Sequence, residues 1–316
     1  MPTPTVIYKA ETDLETDCWP PPRAKPPNPN RKPHLVDYHR EPYKQKWLDP
    51  ALREEDVNSI LLPLAHLRLV DSPLIQRLTG WHERKVRYRL LELRKGGYLV
   101  RHLRPEFKAL DANSNAMYHL TPKATYLLRM VFGGSVCDYK PATHTPRYRI
   151  ADHILELSLI RICIEQGAQA INVGVGDWQT DRTVQSVYKG IALIPDQHFA
   201  LTAANQDTTH YFHEHDRSVG MDNISLTWLP RLRKYQHLWQ SGRFTALFGS
   251  RKRFTVLVTV LSEKRMRYLM GICAKYVTPE LAGMFLFALL PDVTASNPLS
   301  NPIWRTIKNE ARVLTP

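Results

Sequence analysis

Three carboxylates, Asp196, Glu214 and Asp216, lie in stretches that read as β-strands, and their spacing could do chemistry. Glu214 and Asp216 are two residues apart on a strand, so both side chains point to one face. Asp196 belongs to the preceding strand-like stretch and can come alongside. Clustered carboxylates offer hard oxygen ligands to Mg²⁺ or Mn²⁺, which could polarise a phosphodiester and activate water. Glu156, on an earlier helix, is a further candidate ligand. Carboxylates gathered this way raise one another's pKa unless a proton, a metal or a basic group compensates. His213 and His215 would share the opposite face, but with no Cys nearby and no third and fourth ligand a zinc site is disfavoured.

A second set of residues points to nucleic acid. In a helix expected over 82–95, Val86, Leu90 and Leu93 form one apolar stripe. Arg84, Tyr88 and Lys95 project from the opposite face, with Lys85 and Arg87 on the flanks. Such a helix can pack on its neighbours and present cations to a DNA major groove. Arginine can bond both acceptors of a guanine edge, whereas lysine more often supplies a point charge to phosphate. Arg101, in the strand-like stretch that follows, extends this candidate DNA-binding set. Leu91 also faces outward, without an evident role, and a solvated basic helix remains the plain alternative.

The elements that would position these residues are well punctuated. An apolar helix is expected from Asp56 to Arg68, kinked or shifted by Pro63. Ser72 and Pro73 form a cap-plus-proline start, and Thr79-Gly80 is a glycine stop. The basic helix closes at Gly96-Gly97. Two strand-like stretches, 98–103 and 117–120, would form a wing, and Thr121-Pro122 starts a last helix. The order predicts a winged helix-turn-helix over 51–132. Residues 1–50 are a Pro-rich basic arm, and 133–147 form a linker. From 148 to 316 a helix over 150–166 precedes three strands, 170–174, 190–203 and 210–216. Then come a helix over 226–239, a strand over 254–261, a helix over 263–275 and a strand over 283–290. That order predicts a mixed-sheet α/β domain.

The chain has 316 residues, a net charge of +13 and 43% hydrophobic residues, enough for two globular cores and an acidic partner such as DNA. It holds no apolar run of roughly 18 residues. Its N-terminus lacks the apolar core of a secretion signal. The four cysteines have no CxxC spacing, which predicts reduced thiols in a cytoplasm. No P-loop, GxGxxG or nucleophile elbow is present, which argues against ATPase, dinucleotide and serine-hydrolase chemistry.

The stretch with Pro195-Asp196, the run Tyr211-Phe212-His213-Glu214-His215-Asp216-Arg217, the pair Lys234-Tyr235 and the closing Pro302-Ile303-Trp304-Arg305 together resemble the replication-relaxation family. The resemblance implies a winged helix followed by a restriction-endonuclease-like domain, and a role in replication or relaxation of plasmids and other mobile elements. In the broad PD-(D/E)xK nuclease pattern Asp196 and Glu214 take the acidic positions. The lysine expected two residues later is replaced by Asp216, and Lys234 would supply that cation from the next helix. Asp196, Glu214, Asp216 and Lys234 are thus the candidate catalytic residues, and Asp196, Glu214, Asp216 and Glu156 the candidate metal ligands. The leading expectation is an accessory protein that binds double-stranded DNA with sequence preference and works with replication or relaxase machinery, with the oligomeric state open and a dimer included. A metal-dependent endonuclease and a transcription regulator are the alternatives.

Overall fold

The computed structural model describes residues 52–103, 116–132, 148–180, 193–205, 207–218, 224–248 and 254–314. The Pro-rich arm, residues 104–115 between the two strands expected to form a wing, the 133–147 linker, Cys18 and Cys137 lie outside the described residues.

The first helical segment comprises α1, Glu54–Asp56, a π-helical turn, Val57–Leu61, and α2, Leu62–Leu67. Pro63 cannot donate an amide, so it sits at the start of α2, and the wider turn before it lets the helix continue. A two-residue strand, β1 (Val70–Asp71), leads into α3, Ser72–Thr79. The cap of α3 is Asp71 rather than Ser72: the Leu74 amide donates to Asp71 Oδ1 at 3.0 Å, and Ser72 is already helical. Gly80 ends α3 in the left-handed region, φ +67°, as a glycine stop requires. The basic helix α4, Glu83–Lys95, follows, with the Arg84 amide donating to His82 Nδ1. Strands β2 (Leu99–Leu103) and β3 (Ala116–Leu120) pair antiparallel in the order β1-β3-β2, and α5 (Pro122–Phe132) starts where Thr121 Oγ1 accepts from the Ala124 amide.

Ile60, Leu64, Ile75, Val86, Leu90 and Leu128 fill this first core. One ion pair is buried within it. Arg89, on the inner face of α4, donates through Nε to Asp56 Oδ1 at 2.7 Å and pairs through Nη2 with Oδ2. The two residues are only 3% and 0% exposed. The hydrogen bond to Asp56 raises the Arg89 pKa further.

The rest of the described chain is a mixed α/β arrangement. The long helix α6, Tyr148–Ala170, precedes β4 (Gly174–Thr180), β5 (Gln197–Thr202) and β6 (Thr208–Asp216). Helices α7 (Ile224–Gln240) and α8 (Arg243–Phe248) lead to β7 (Phe254–Val260), and α9 (Glu263–Tyr276) and α10 (Pro279–Ala282) lead to β8 (Phe285–Leu289). The last elements are α11 (Leu290–Ala295), β9 (Trp304–Arg305) and β10 (Ala311–Arg312). The seven strands lie in the order β10-β9-β8-β7-β6-β5-β4. β6–β7 and β7–β8 are parallel because helices cross between them, and every other pair is antiparallel.

Two expectations are corrected here. The strand expected at 170–174 is displaced: α6 runs to Ala170, a turn with Asn172 at φ +54° follows, and β4 begins at Gly174. Asp196 is not inside a strand but immediately precedes β5.

Side chains alternate across the sheet. Val256, Val258 and Val260 of β7 join Trp228, Leu232, Tyr235 and Leu238 of α7 and Met266, Leu269 and Met270 of α9. Leu257 faces the other way, toward Ile160, Ile164 and Ala168 of α6. Helix α6 serves both cores, since Ala151, Leu155 and Ile162 pack into the first. Ser158 adds a polar tie, its hydroxyl 3.0 Å from the Leu67 carbonyl oxygen. Among the described residues no helix is long and apolar enough to cross a membrane.

Removing one partner of the Arg89–Asp56 pair strands a buried charge. Arg89→Met alone is expected to cost about 3–5 kcal/mol, whereas Arg89→Met with Asp56→Leu recovers most of it. Urea unfolding of the three proteins measures this; equal losses in the single and double variants would show that the pair does not set the cost.

Candidate functional site

Two regions draw the candidate residues together. The first is the outer face of α4. Arg84, Lys85, Arg87, Tyr88 and Lys95 are all exposed, while Val86, Leu90 and Leu93 are buried, as the helical periodicity demands. Three of the cations already have acidic neighbours: Lys85 with Glu55 at 2.7 Å, Arg87 with Glu83 at 2.5 Å and Lys95 with Glu92 at 3.1 Å. These pairs are solvated, and exposed pairs of this kind are worth only about 0–1 kcal/mol, so a phosphate can replace the acid. Lys85 also lies 3.8 Å from the centre of the Trp81 ring. Arg84 has no ion-pair partner among the described residues. Tyr88 and Leu91 are 52% and 39% exposed in the same stripe. Arg101 sits half-buried on β2, whose pairing with β3 carries it beside Tyr118.

The second region is the C-terminal end of β6, where four consecutive polar residues, His213 to Asp216, are buried. Pleating sends Glu214 and Asp216 toward α7 and α9, and His213 and His215 toward α6. The four candidate carboxylates therefore do not converge, and each is held by its own donors. Tyr235 donates its hydroxyl proton to Glu214 Oε1 at 2.8 Å, and Arg231 donates through Nη1 to Oε2 at 2.7 Å. Arg265 donates through Nη2 to Asp216 Oδ2 at 2.8 Å, joined there by the Trp228 indole, while the Ser218 amide donates to Oδ1. Asp196 accepts from the His215 amide at 2.8 Å, and its other oxygen lies 3.2 Å from His153 Nε2. Glu156 lies 2.8 Å from His215 Nε2 and 2.6 Å from Arg217 Nε. Glu156 and Arg217, with Asp152, open onto a cleft of about 690 Å³ between α3 and α6.

Lys234 is exposed on α7 and joins no carboxylate among the described residues. The cation beside Glu214 is Arg231, one helical turn earlier and on the inner face. Arg265 plays the same part for Asp216. An arginine interrupting an apolar stripe signals a buried acid partner. Both positions carry that signal, Arg231 among Trp228, Leu232 and Tyr235, and Arg265 beside Met266 and Leu269.

Charge states follow from these contacts. Burial pushes the Glu214 carboxyl up to about 8, against the pull of Arg231. Burial alone would also raise Asp196 and Asp216, but His153 holds the first below the usual carboxylate range, and Arg265 and Ser218 hold the second there. Burial would lower His153, yet the hydrogen bond to Asp196 takes it above its ordinary value.

Burial drives His213 down to about 3, so it is neutral. Its partners then set the proton positions in sequence. Gln197 gives its amide N–H to the Leu157 carbonyl, so its oxygen accepts from His213 Nδ1 at 3.1 Å. His213 Nε2 must therefore accept from the Thr259 hydroxyl at 2.9 Å. Having spent its proton, Thr259 Oγ1 accepts from His215 Nδ1 at 2.7 Å. Burial alone would raise Glu156, but the hydrogen bond from His215 and the charge of Arg217 hold it low. His215 Nε2 faces Glu156 Oε2 at 2.8 Å and ends the chain of hydrogen bonds.

A divalent cation of the Mg²⁺ class needs several carboxylate or water oxygens converging at about 2.0–2.1 Å. The carboxylates here lie on both sides of β6, and their oxygens accept from Arg231, Tyr235, Arg265, Trp228, His153 and His215. The set does not fit Mg²⁺ or Mn²⁺. Among the described residues no group of three or more His, Cys, Asp or Glu is placed to hold a metal.

A strand-helix scaffold with a buried ion-pair layer on its sheet and a cationic helix in its first core defines the arrangement. The replication-relaxation family model matches residues 61–252, more than half of the chain. The chain belongs to the replication-relaxation family. The closing residues Pro302 to Arg305 lie beyond the matched range. No curated protein matches the chain. Among solved structures, restriction endonuclease FokI is similar at 11% identity with a TM-score of 0.31, over 75% of this chain and 43% of that one. The chain thus spans less than half of that enzyme's length.

Glu214 binds its proton more tightly when folded than when unfolded, where its pKa is 4.5. Its contribution to stability is therefore full below about pH 4.5 and is lost as pH rises toward 8. Glu214→Gln mimics the protonated group and is expected to flatten the fall in melting temperature between pH 6 and pH 8.5. An unaltered pH profile would place the Glu214 pKa near its ordinary value. Added Mg²⁺ is expected to leave the melting temperature unchanged; a rise that is lost in an Asp196→Asn, Glu214→Gln variant would reinstate a metal site.

Proposed function

We propose that the protein is a sequence-preferring binder of double-stranded DNA that acts as an accessory in the replication, relaxation or mobilisation of a plasmid or other mobile element. The carrying observation is α3, a tight turn at Gly80, and α4 with an exposed cationic face, followed at once by the β2–β3 hairpin. This is the order of a winged helix-turn-helix, with α4 as the reading helix and β2–β3 as the wing. Family membership supports the process, and the net charge of +13 supports an acidic polymer as partner. Replication or relaxase proteins are the partners this reading implies, acting in the cytoplasm.

On α4, Arg84 is the best placed to reach a base edge, because it is exposed and enters no ion pair among the described residues. Arg87, Lys85 and Lys95 exchange their acid neighbours for phosphates, and Arg101 supports them from the wing. On this reading Asp196, Glu214, Asp216 and Glu156 organise the sheet and its helices and do not perform hydrolysis, since their oxygens are occupied by side-chain and backbone donors.

Titration of a labelled duplex at several salt concentrations tests the reading. Binding is expected to weaken with salt, log K falling against log salt by about 0.9 for each phosphate contact. Arg84→Ala is expected to cost about 1–3 kcal/mol on a selected best site and much less on a scrambled one. Equal loss on both would make Arg84 a phosphate contact. Unchanged binding in an Arg84→Ala, Arg87→Ala protein would move the reading surface off α4. Incubation with supercoiled plasmid and Mg²⁺ is expected to yield no nicks; nicking that Glu214→Gln abolishes would favour an endonuclease.

A further inference from the structure

The charge of this chain is unevenly spread. Residues 223–262 contain seven Lys or Arg and no Asp or Glu. Within that stretch α7 carries Arg231, Arg233 and Lys234. Helix α9, which follows it, adds Lys264, Arg265, Arg267 and Lys275 and packs beside α7 on the sheet face turned away from α6.

Their inner faces are accounted for. Trp228, Leu232, Tyr235 and Leu238 of α7, and Met266, Leu269, Met270 and Cys273 of α9, fill the core. The inner cations Arg231 and Arg265 pair with Glu214 and Asp216. The outer faces are different. On α7, Arg233, Lys234 and His237 are exposed and fall within one stripe at helical spacing. On α9, Lys264, Arg267 and Lys275 recur at i, i+3 and i+11 and are likewise exposed. The acid on these outer faces is Glu263, which pairs with Arg267. Arg233, Lys234 and Lys264 enter no ion pair among the described residues.

Structural need does not explain these cations. The acids that the fold buries on this side already have Arg231 and Arg265, and Arg233, Lys234 and Lys264, which enter no ion pair among the described residues, add like charge to one surface. Like-charge repulsion is relieved by a polyanion. Two neighbouring helices that both expose cations suit a duplex backbone, which presents one negative charge per roughly 1.7 Å of axis.

The position of this face gives it a distinct use. Helix α6 and the seven-stranded sheet lie between α7–α9 and the first core that carries α4. Each such layer is roughly 10 Å thick. A short straight duplex seated on α4 does not reach α7 and α9 through them.

We propose that the outer faces of α7 and α9 form a second, sequence-independent binding surface for duplex DNA, and that one chain can hold two DNA segments at once. The surface is built from Arg233, Lys234, Lys264, Arg267 and Lys275. The second surface itself stands without the assignment of α4 as the reading helix, whereas the simultaneous holding of two segments rests on it.

The test uses the full chain and two duplexes of about 20 base pairs, far shorter than the ~150-base-pair persistence length, so that wrapping is impossible. One duplex is fixed to beads and loaded with protein at low salt, and a second, fluorescent duplex is then added. The wild type is expected to capture the second duplex. The Arg233→Gln, Lys234→Gln, Lys264→Gln variant, all at exposed positions, is expected to keep its melting temperature and its binding to the bead, yet lose the capture. An Arg84→Ala, Arg87→Ala variant is expected to retain weak duplex binding. Adding the three glutamine changes to it should lower the salt slope by about 2 to 3, at roughly 0.9 per cation. If the glutamine variant captures the second duplex as well as the wild type does, bridging comes from α4 faces of associated copies and the proposal fails. It fails equally if the wild type captures nothing at low salt. If the α4 variant binds like the wild type while the glutamine variant loses all binding, the reading of α4 fails and the second surface stands.

Discussion

Burying polar, ionisable groups inside a β-sheet is costly unless each is matched, and β6 does this at successive positions. His213, Glu214, His215 and Asp216 are all buried. Unpaired, any one of them would cost several kcal/mol, a large share of a domain's stability. Each neighbouring element supplies a partner: α7 gives Arg231, Tyr235 and Trp228, α9 gives Arg265, β7 gives Thr259, and α6 gives Glu156. Apolar packing alone would let a helix slide or rotate on the sheet with modest loss. The directional bonds to β6 remove that freedom, because they are met at one placement of α6, α7 and α9.

The division of charge follows from the same constraint. Asp196, Glu214 and Asp216 point inward, and so do their arginine partners Arg231 and Arg265. Many of the cations left over are displayed on α4, α7 and α9.

Much of this architecture could be read from residue order. Period-2 and period-3.6 patterning placed α4, α6, α7, β6, β7, α9 and β8 within a few residues of where they lie, because long periodic elements have one face to bury. The stop at Gly80 was legible because a left-handed residue ends α3 there. Short elements were not legible. β1, β9 and β10 are two residues each, too short to show a period. The cap at Asp71 was missed because Ser72 is chemically as good a cap, and only the path of the chain decides between them. At the site, the shared face of Glu214 and Asp216 followed from strand geometry. Their separate partners did not, since Arg231 and Arg265 come from helices whose rotation on the sheet is a tertiary fact. Lys234 was the nearest cation in the family pattern, but its side of α7 faces water. The Arg89–Asp56 pair was hidden for a similar reason: Arg89 sits in a run of cations, and one helical step separates the buried member from the exposed ones.

Helix α6 has a mechanical consequence. One of its stripes completes the first core through Ala151, Leu155 and Ile162, and another covers the sheet through Ile160, Ile164 and Ala168. Neither core is whole without it. The chain is therefore not a pair of beads on a string, in which one bead can tumble or melt while the other stays intact. Strain felt in either core is shared through a single rod, and melting of α6 would strip both cores at once. The two cores are thus expected to rise and fall in stability as one cooperative unit, and a torque applied to the first core would reach the sheet through α6.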